Sequence, residues 1–127
     1  MSFGSTSRLV FLTAFCAATT PALAQAGDAT KGKGVFARCA LCHDVKPGVK
    51  KVGPSLAGVF GRTSGTVSGF AYSPAMQNAK IKWDAKSLNA FLTKPGALVP
   101  SNRMAFAGIP NATDRANLIA YLKAEAK

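Results

Sequence analysis

The sequence predicts one small all-α domain, with three main helices and shorter ones joined by long loops that wrap an apolar body. Three observations predict it. The chain has 127 residues, 48% hydrophobic and 17% charged, a globular balance with room for a single core. Three segments carry helix-start signals followed by apolar periodicity near 3.6, and no segment alternates as a strand does. Between the first two lies the stretch from Asp44 to Tyr72, studded with Gly and Pro and without a period. So long a loop counts against a compact domain unless it closes around a large apolar object that supplies missing core volume.

The N-terminus reads as an address. Arg8 precedes an apolar run from Leu9 to Ala18 that is too short for a bilayer-spanning helix, and Ala22-Leu23-Ala24 has the small-x-small form of a cleavage site. Residues 1–24 are therefore expected to be a cleavable signal peptide, and residues 25–127 the exported domain. Cys16 follows the bulky Phe15, which does not suit a lipid-attachment motif.

Asp28 is placed to cap a first helix reaching to about Ala40, with Val35, Phe36 and Cys39 on one face. Ser73 and Pro74 open a short helix that carries Met76. Asp84 caps a second pattern with Leu88, Phe91 and Leu92 at helical spacing, stopped by Pro95-Gly96. Asn111 or Thr113 starts the last helix, whose buried stripe is Leu118, Ile119, Tyr121 and Leu122.

The chemistry concentrates in Cys39-Ala40-Leu41-Cys42-His43. Two sulfurs three residues apart are within reach of the two vinyl-derived carbons of one haem, and the adjacent imidazole approaches the iron from the same side. A structural zinc site needs four ligands, commonly in two pairs, and the chain has one histidine and no second such pair. A redox dithiol expects a βαβ context. A disulfide closing so tight a loop is an unusual staple. Covalent haem is the reading the pattern favours.

With a single histidine, the sixth iron position falls to methionine, to lysine or another donor, or stays open. Met76, on a helix, reads as apolar filling. Met104 sits on a Pro- and Gly-bounded loop, Val99 to Gly108, and is the favoured distal ligand.

The blocks GDATKGKGVFARCALCH, VGPSLAGVFGRTSG, GFAYS, IKW, LTKPGALVPSNRMAFAGI and DRANLIAYLK, in this order, resemble the class I c-type cytochromes, the cytochrome c and bacterial cytochrome c2 group. The resemblance runs from Gly27 to Lys123. It implies the class I cytochrome c fold around one covalent haem c. It implies thioethers at Cys39 and Cys42, iron bound by His43 Nε2 and Met104 sulfur, and the Pro54 carbonyl accepting the His43 Nδ1 proton. Arg62, Tyr72 and Trp83 match residues that hold a haem propionate. Gly32 matches a residue where the first and last helices cross closely, with Phe36 packing near Leu118 and Tyr121. Three departures stand out. Phe91 replaces a tyrosine whose hydroxyl contacts the methionine sulfur, Met76 an asparagine of a buried water network, and Asn102 a threonine near the propionate. Gly96, Ala97 and Arg103 occupy positions that are lysines in many mitochondrial members.

The implied function is a soluble one-electron carrier, not an enzyme. It would shuttle between membrane or periplasmic redox complexes, for example from a bc1-type complex to a terminal oxidase or photosynthetic reaction centre. Sixteen Lys and Arg against five Asp and Glu give a formal charge of +11, which suits acidic docking patches on such proteins, a nitrogen-oxide reductase or a peroxidase included. Arg38, Lys50, Lys51, Lys94 and Arg103 flank the segments expected near the haem edge. A monomer is expected in the periplasm, without stable membrane insertion and without nucleic acid as a partner. The alternative is an open-site haem protein that binds small gases or reduces peroxide, which requires that Met104 not ligate.

Overall fold

A computed structural model describes Met1 and residues 26–127. The apolar run, Cys16 and the expected cleavage after Ala24 lie outside the described residues. Five helices follow one another: α1 (Ala29–Phe36), α2 (Pro74–Ala79), α3 (Ala85–Thr93), α4 (Pro95–Leu98) and α5 (Ala112–Glu125). Among the described residues there is no named strand, only an isolated antiparallel bridge between Thr63 and Lys82. The all-α class is as expected.

Side-chain caps explain where the helices begin. Asp28 accepts from Lys31 N, Ser73 from Met76 N with Pro74 following, and Asn111 from Asp114 N. Each oxygen takes up an amide that the first turn leaves without a partner. Asp84 and Ser87 form a reciprocal capping box at α3. Two boundaries differ from the sequence reading. The first helix ends at Phe36, not near Ala40, because the next amides turn to tighter bonds: Ala37 N to Gly34 O and Arg38 N to Val35 O. Pro95 does end α3, and it also opens α4, since its missing N–H costs nothing at a helix start.

The frame is the crossing of α1 on α5, with α3 packed against α5. A Cβ on Gly32 would overlap the backbone carbonyl of Asn117, so only glycine lets the two backbones meet there. Phe36 then packs its ring 5.1 Å from that of Tyr121. Leu118 is 0% exposed and Ile109 1%, each a side chain whose burial is worth roughly 1.5–3 kcal/mol. They join Val59, Trp83, Leu88, Phe91, Leu92, Val99, Ile119 and Leu122 in one core.

Polar ties lock this frame. Asn117 accepts the Asp28 amide at 2.8 Å, joining the start of α1 to α5. Arg115, 9% exposed, donates from Nε to Asn89 of α3 at 2.8 Å. From Nη1 it donates to the carbonyls of Ile109 and Pro110 at 2.7 and 2.8 Å. A buried guanidinium so satisfied holds the loop before α5 against α3.

Two outcomes test the frame. Gly32→Ala should destabilise the protein by about 1–3 kcal/mol in denaturant unfolding. Gly34→Ala, on the same helix but with open space around its Cβ position, should stabilise it by roughly 0.5–1 kcal/mol. At α3, the Ser87 backbone and side chain hold the Asp84 carboxyl below its ordinary value. That stabilisation is complete above the unfolded-state pKa and is lost as pH falls through the lower folded one. The melting temperatures of wild type and Asp84→Ala should therefore differ near neutrality and converge in strong acid.

Candidate functional site

Beyond Phe36 the chain stays coiled without continuing α1. Cys39 N and Ala40 N both bond to Phe36 O, at 2.7 and 2.9 Å, while Cys42 N and His43 N both bond to Cys39 O, at 3.0 and 2.8 Å. The shared acceptors wind one helical turn, which brings the half-buried Cys39 and Cys42 onto one side with His43 next to them. Burial pushes the Cys39 thiol above its ordinary pKa.

The following loop folds back on this turn. Gly53 N donates to Cys42 O at 2.8 Å, and Leu56 N to Asp44 O at 2.8 Å. The Pro54 carbonyl thereby lies 2.7 Å from His43 Nδ1. A carbonyl only accepts, so Nδ1 carries the proton and Nε2 keeps its lone pair. Burial lowers the His43 pKa, opposed by the Pro54 bond and aided by the charges of Arg62 and Lys51; both burial and charge favour the neutral imidazole. A Cβ at Gly53 would run into the imidazole ring, so this glycine makes the space in which the ring lies.

Lys51 has a different place from the other basic residues. Its ammonium reaches Ala40 O at 3.0 Å, His43 O at 3.3 Å and the Asp44 carboxylate at 3.3 Å. Though exposed, it spends its charge on the turn that carries the cysteines. Arg38, Lys50, Lys94 and Arg103 are exposed.

Arg62 and Trp83 are brought together by a short antiparallel pairing that the sequence reading did not anticipate. Gly61 N bonds to Trp83 O at 2.7 Å, Trp83 N to Arg62 O at 2.9 Å, and Ser64 N to Ile81 O at 2.7 Å. The Arg62 guanidinium donates to Ala57 O and Ser55 O at 2.8 and 3.1 Å, and its charge bears on Tyr72 and His43. Tyr72 accepts from Val67 N at 3.3 Å and packs edge-on to Phe70. Burial raises its phenol pKa. Trp83 is buried with its ring 5.1 Å from Phe91.

Met104 is half-buried against the core, as are Met76, Leu56, Phe60, Ile81 and Phe106. Its loop shows alternating exposure: Asn102, Met104 and Phe106 turn inward while Ser101, Arg103, Ala105 and Ala107 face solvent. The far end is pinned where Ile109 N meets Leu92 O at 2.7 Å.

Lys51, Gly53 and Asn102 are the contributors that motif spacing did not single out for these roles. Only the glycine, beside Pro54, leaves a local signal in the chain. Among the described residues no three His, Cys, Asp or Glu side chains gather as a metal cluster, so a closed zinc site lacks donors. The donor set, two thiols on one turn and an imidazole with its Nε2 lone pair free, fits a haem held covalently and ligated by His43.

Comparison with known proteins agrees with this fit. The family model described as Cytochrome c matches residues 29–125. A cytochrome c of Euglena viridis is 53% identical over 98 residues, 76% of this chain and 96% of that protein. A cytochrome c2 of Blastochloris viridis is 45% identical over 118 residues, 91% of each. A cytochrome c2 of Rhodoblastus acidophilus is 47% identical over 98 residues, 76% of this chain and 92% of that protein. The chain belongs to the cytochrome c family, electron-transfer proteins that carry one covalently attached haem c.

Proposed function

We propose that residues 25–127 form an exported, soluble, monomeric carrier in which Cys39 and Cys42 hold the porphyrin and His43 and Met104 ligate the iron. The observation that carries this reading is the His43 Nδ1 bond to Pro54 O at 2.7 Å, on the same turn as both thiols. When bound, haem c supplies a one-electron ferric–ferrous couple.

The residues around it have separate tasks. Pro54 and Gly53 hold the imidazole in one tautomer and one orientation, which sharpens its basicity toward iron. A Met104 thioether in place of a second imidazole raises the potential and leaves no coordination position for a substrate. Arg62 has N–H donors beyond the two it gives to carbonyls; with Tyr72 and Trp83 it is proposed to receive a haem propionate. Phe91 packs on Trp83 and has no hydroxyl to offer the Met104 sulfur.

The basic surface is proposed to meet acidic docking patches, with Arg38, Lys50, Lys94 and Arg103 as the outward charges. The same patches on a bc1-type complex, an oxidase or a reaction centre would place this chain between a reductant and an oxidant of the periplasm. No helix of the described residues is long and apolar enough to cross a membrane.

Met104→Ala should abolish the weak red sulfur-to-iron band of the ferric protein, turn the iron high-spin and let cyanide bind rapidly. Met76→Leu should keep the band. A wild-type protein with high-spin ferric iron and no red band would support the open-site reading, whereas a band unchanged in Met104→Ala would assign the sulfur to another residue. Electron transfer from a bc1-type complex should slow about tenfold or more from low to high salt. Lys50→Gln and Lys94→Gln should flatten that dependence more than Lys51→Gln, whose charge is already shared with Asp44; stopped-flow rates across ionic strength measure it.

A further inference from the structure

We propose that Asn102 is a positioning residue for Met104, a bracket that transfers the rigidity of the core to the backbone of the distal ligand. The inference rests on the Met104 ligation proposed above.

The bracket is built from both ends of one amide. Asn102 Nδ2 donates to Val99 O at 2.8 Å, and Oδ1 accepts from Met104 N at 2.9 Å. Val99 is 3% exposed and part of the core. Its carbonyl also accepts from Asn102 N at 3.2 Å, so the side chain and the main chain of Asn102 converge on one anchored oxygen. Between them Ser101 takes φ 64°, a left-handed conformation uncommon for a residue with a Cβ. The turn is held by its surroundings, and the Asn102 bonds are the ones on either side of it.

The far end of the loop is fixed too. Gly108 has φ 112°, and a Cβ there would overlap the Thr93 carbonyl, so the chain presses directly on the end of α3. With Ile109 N on Leu92 O, residues 103–107 span two fixed points. Met104 lies two residues from the Asn102 end and shares its inward side with Asn102 and Phe106.

The choice of residue follows from the two bonds. A carboxamide presents a donor and an acceptor on separate atoms, so it can span two backbone groups that face it from opposite sides. A threonine hydroxyl has both functions on one atom, a carboxylate has no donor, and leucine, nearly the same shape, has neither. Holding the ligand's backbone before iron binds it lowers the ordering cost of the Met104 side chain reaching the metal.

Imidazole competition on the ferric holoprotein tests this, because added imidazole displaces a loosely held thioether. Asn102→Leu should bind imidazole on the order of tenfold more tightly than wild type, the value of two modest hydrogen bonds. Its reduction potential should also fall while the red band is retained. In wild type, the Met104 amide and the Asn102 side-chain amide protons should exchange slowly with solvent by NMR, a measurement that needs no variant to fold. Unchanged imidazole affinity in Asn102→Leu with the red band present, or fast exchange of the wild-type Met104 amide, overturns the bracket alone. A wild-type protein without the red band removes the ligand and overturns both readings.

Discussion

The hydrogen bond from His43 Nδ1 to the Pro54 carbonyl joins the turn after α1 to the long loop that follows. Everything at the site depends on it. One peptide oxygen sets the tautomer of the ring, so Nε2 keeps its lone pair. The same contact demands Gly53, since any side chain there would occupy the ring's place. It also closes the loop on the cysteines through Gly53 N and Cys42 O. A segment without regular structure is thus held by a few directed bonds.

That economy recurs through the molecule. Ser55 caps a turn by bonding Lys46 O and Ala57 N. Ser64 and Ile81 exchange bonds through backbone and side chain, and Asn102 spans two peptide groups. Among the described residues no buried side-chain nitrogen or oxygen lacks a partner. Loops satisfied in this way can line an apolar cofactor without exposing unmet polar groups to it. The helices carry the other half of the task. The α1–α5 crossing, with α3 packed on α5, is a frame to which both ends of the site are tied: the cysteine turn follows α1, and the Met104 loop runs between α4 and α5.

Charge is divided between cations bonded to backbone carbonyls and cations left to solvent. Arg115 and Arg62 spend their donors on carbonyls, and Lys51 binds the carbonyls of the ligand-bearing turn together with Asp44. These bonds serve the fold, and Arg62 keeps further donors. Arg38, Lys50, Lys94 and Arg103 face solvent, where they contribute to a long-range positive field and little to stability. The net charge of +11 already sets Asp44 against Lys51, so near the cysteine turn the excess rests on the cations without an acidic partner.

The chain alone determined the local features. Asp28, Ser73, Asp84 and Asn111 marked the helix starts, because a cap acts within three residues. Cys39, Cys42 and His43 marked the cofactor chemistry, because its spacing is carried by one turn. The Met104 loop stood out by its Pro and Gly borders, and the family pattern supplied Pro54, Arg62, Tyr72 and Trp83 as candidates. The signal-peptide reading concerns residues outside those described. The end of α1 at Phe36 and the Asn102 bonds to Val99 and Met104 are local but hang on backbone conformations, Ser101 at φ 64° among them, that residue type alone does not dictate. Only tertiary structure decided that Lys51 bonds the cysteine turn and that Arg62 and Trp83 meet across an antiparallel bridge. The last two depend on which distant backbone group comes within 3 Å or so of a given atom. Such proximity follows from how the whole chain closes, and no short window of sequence contains it.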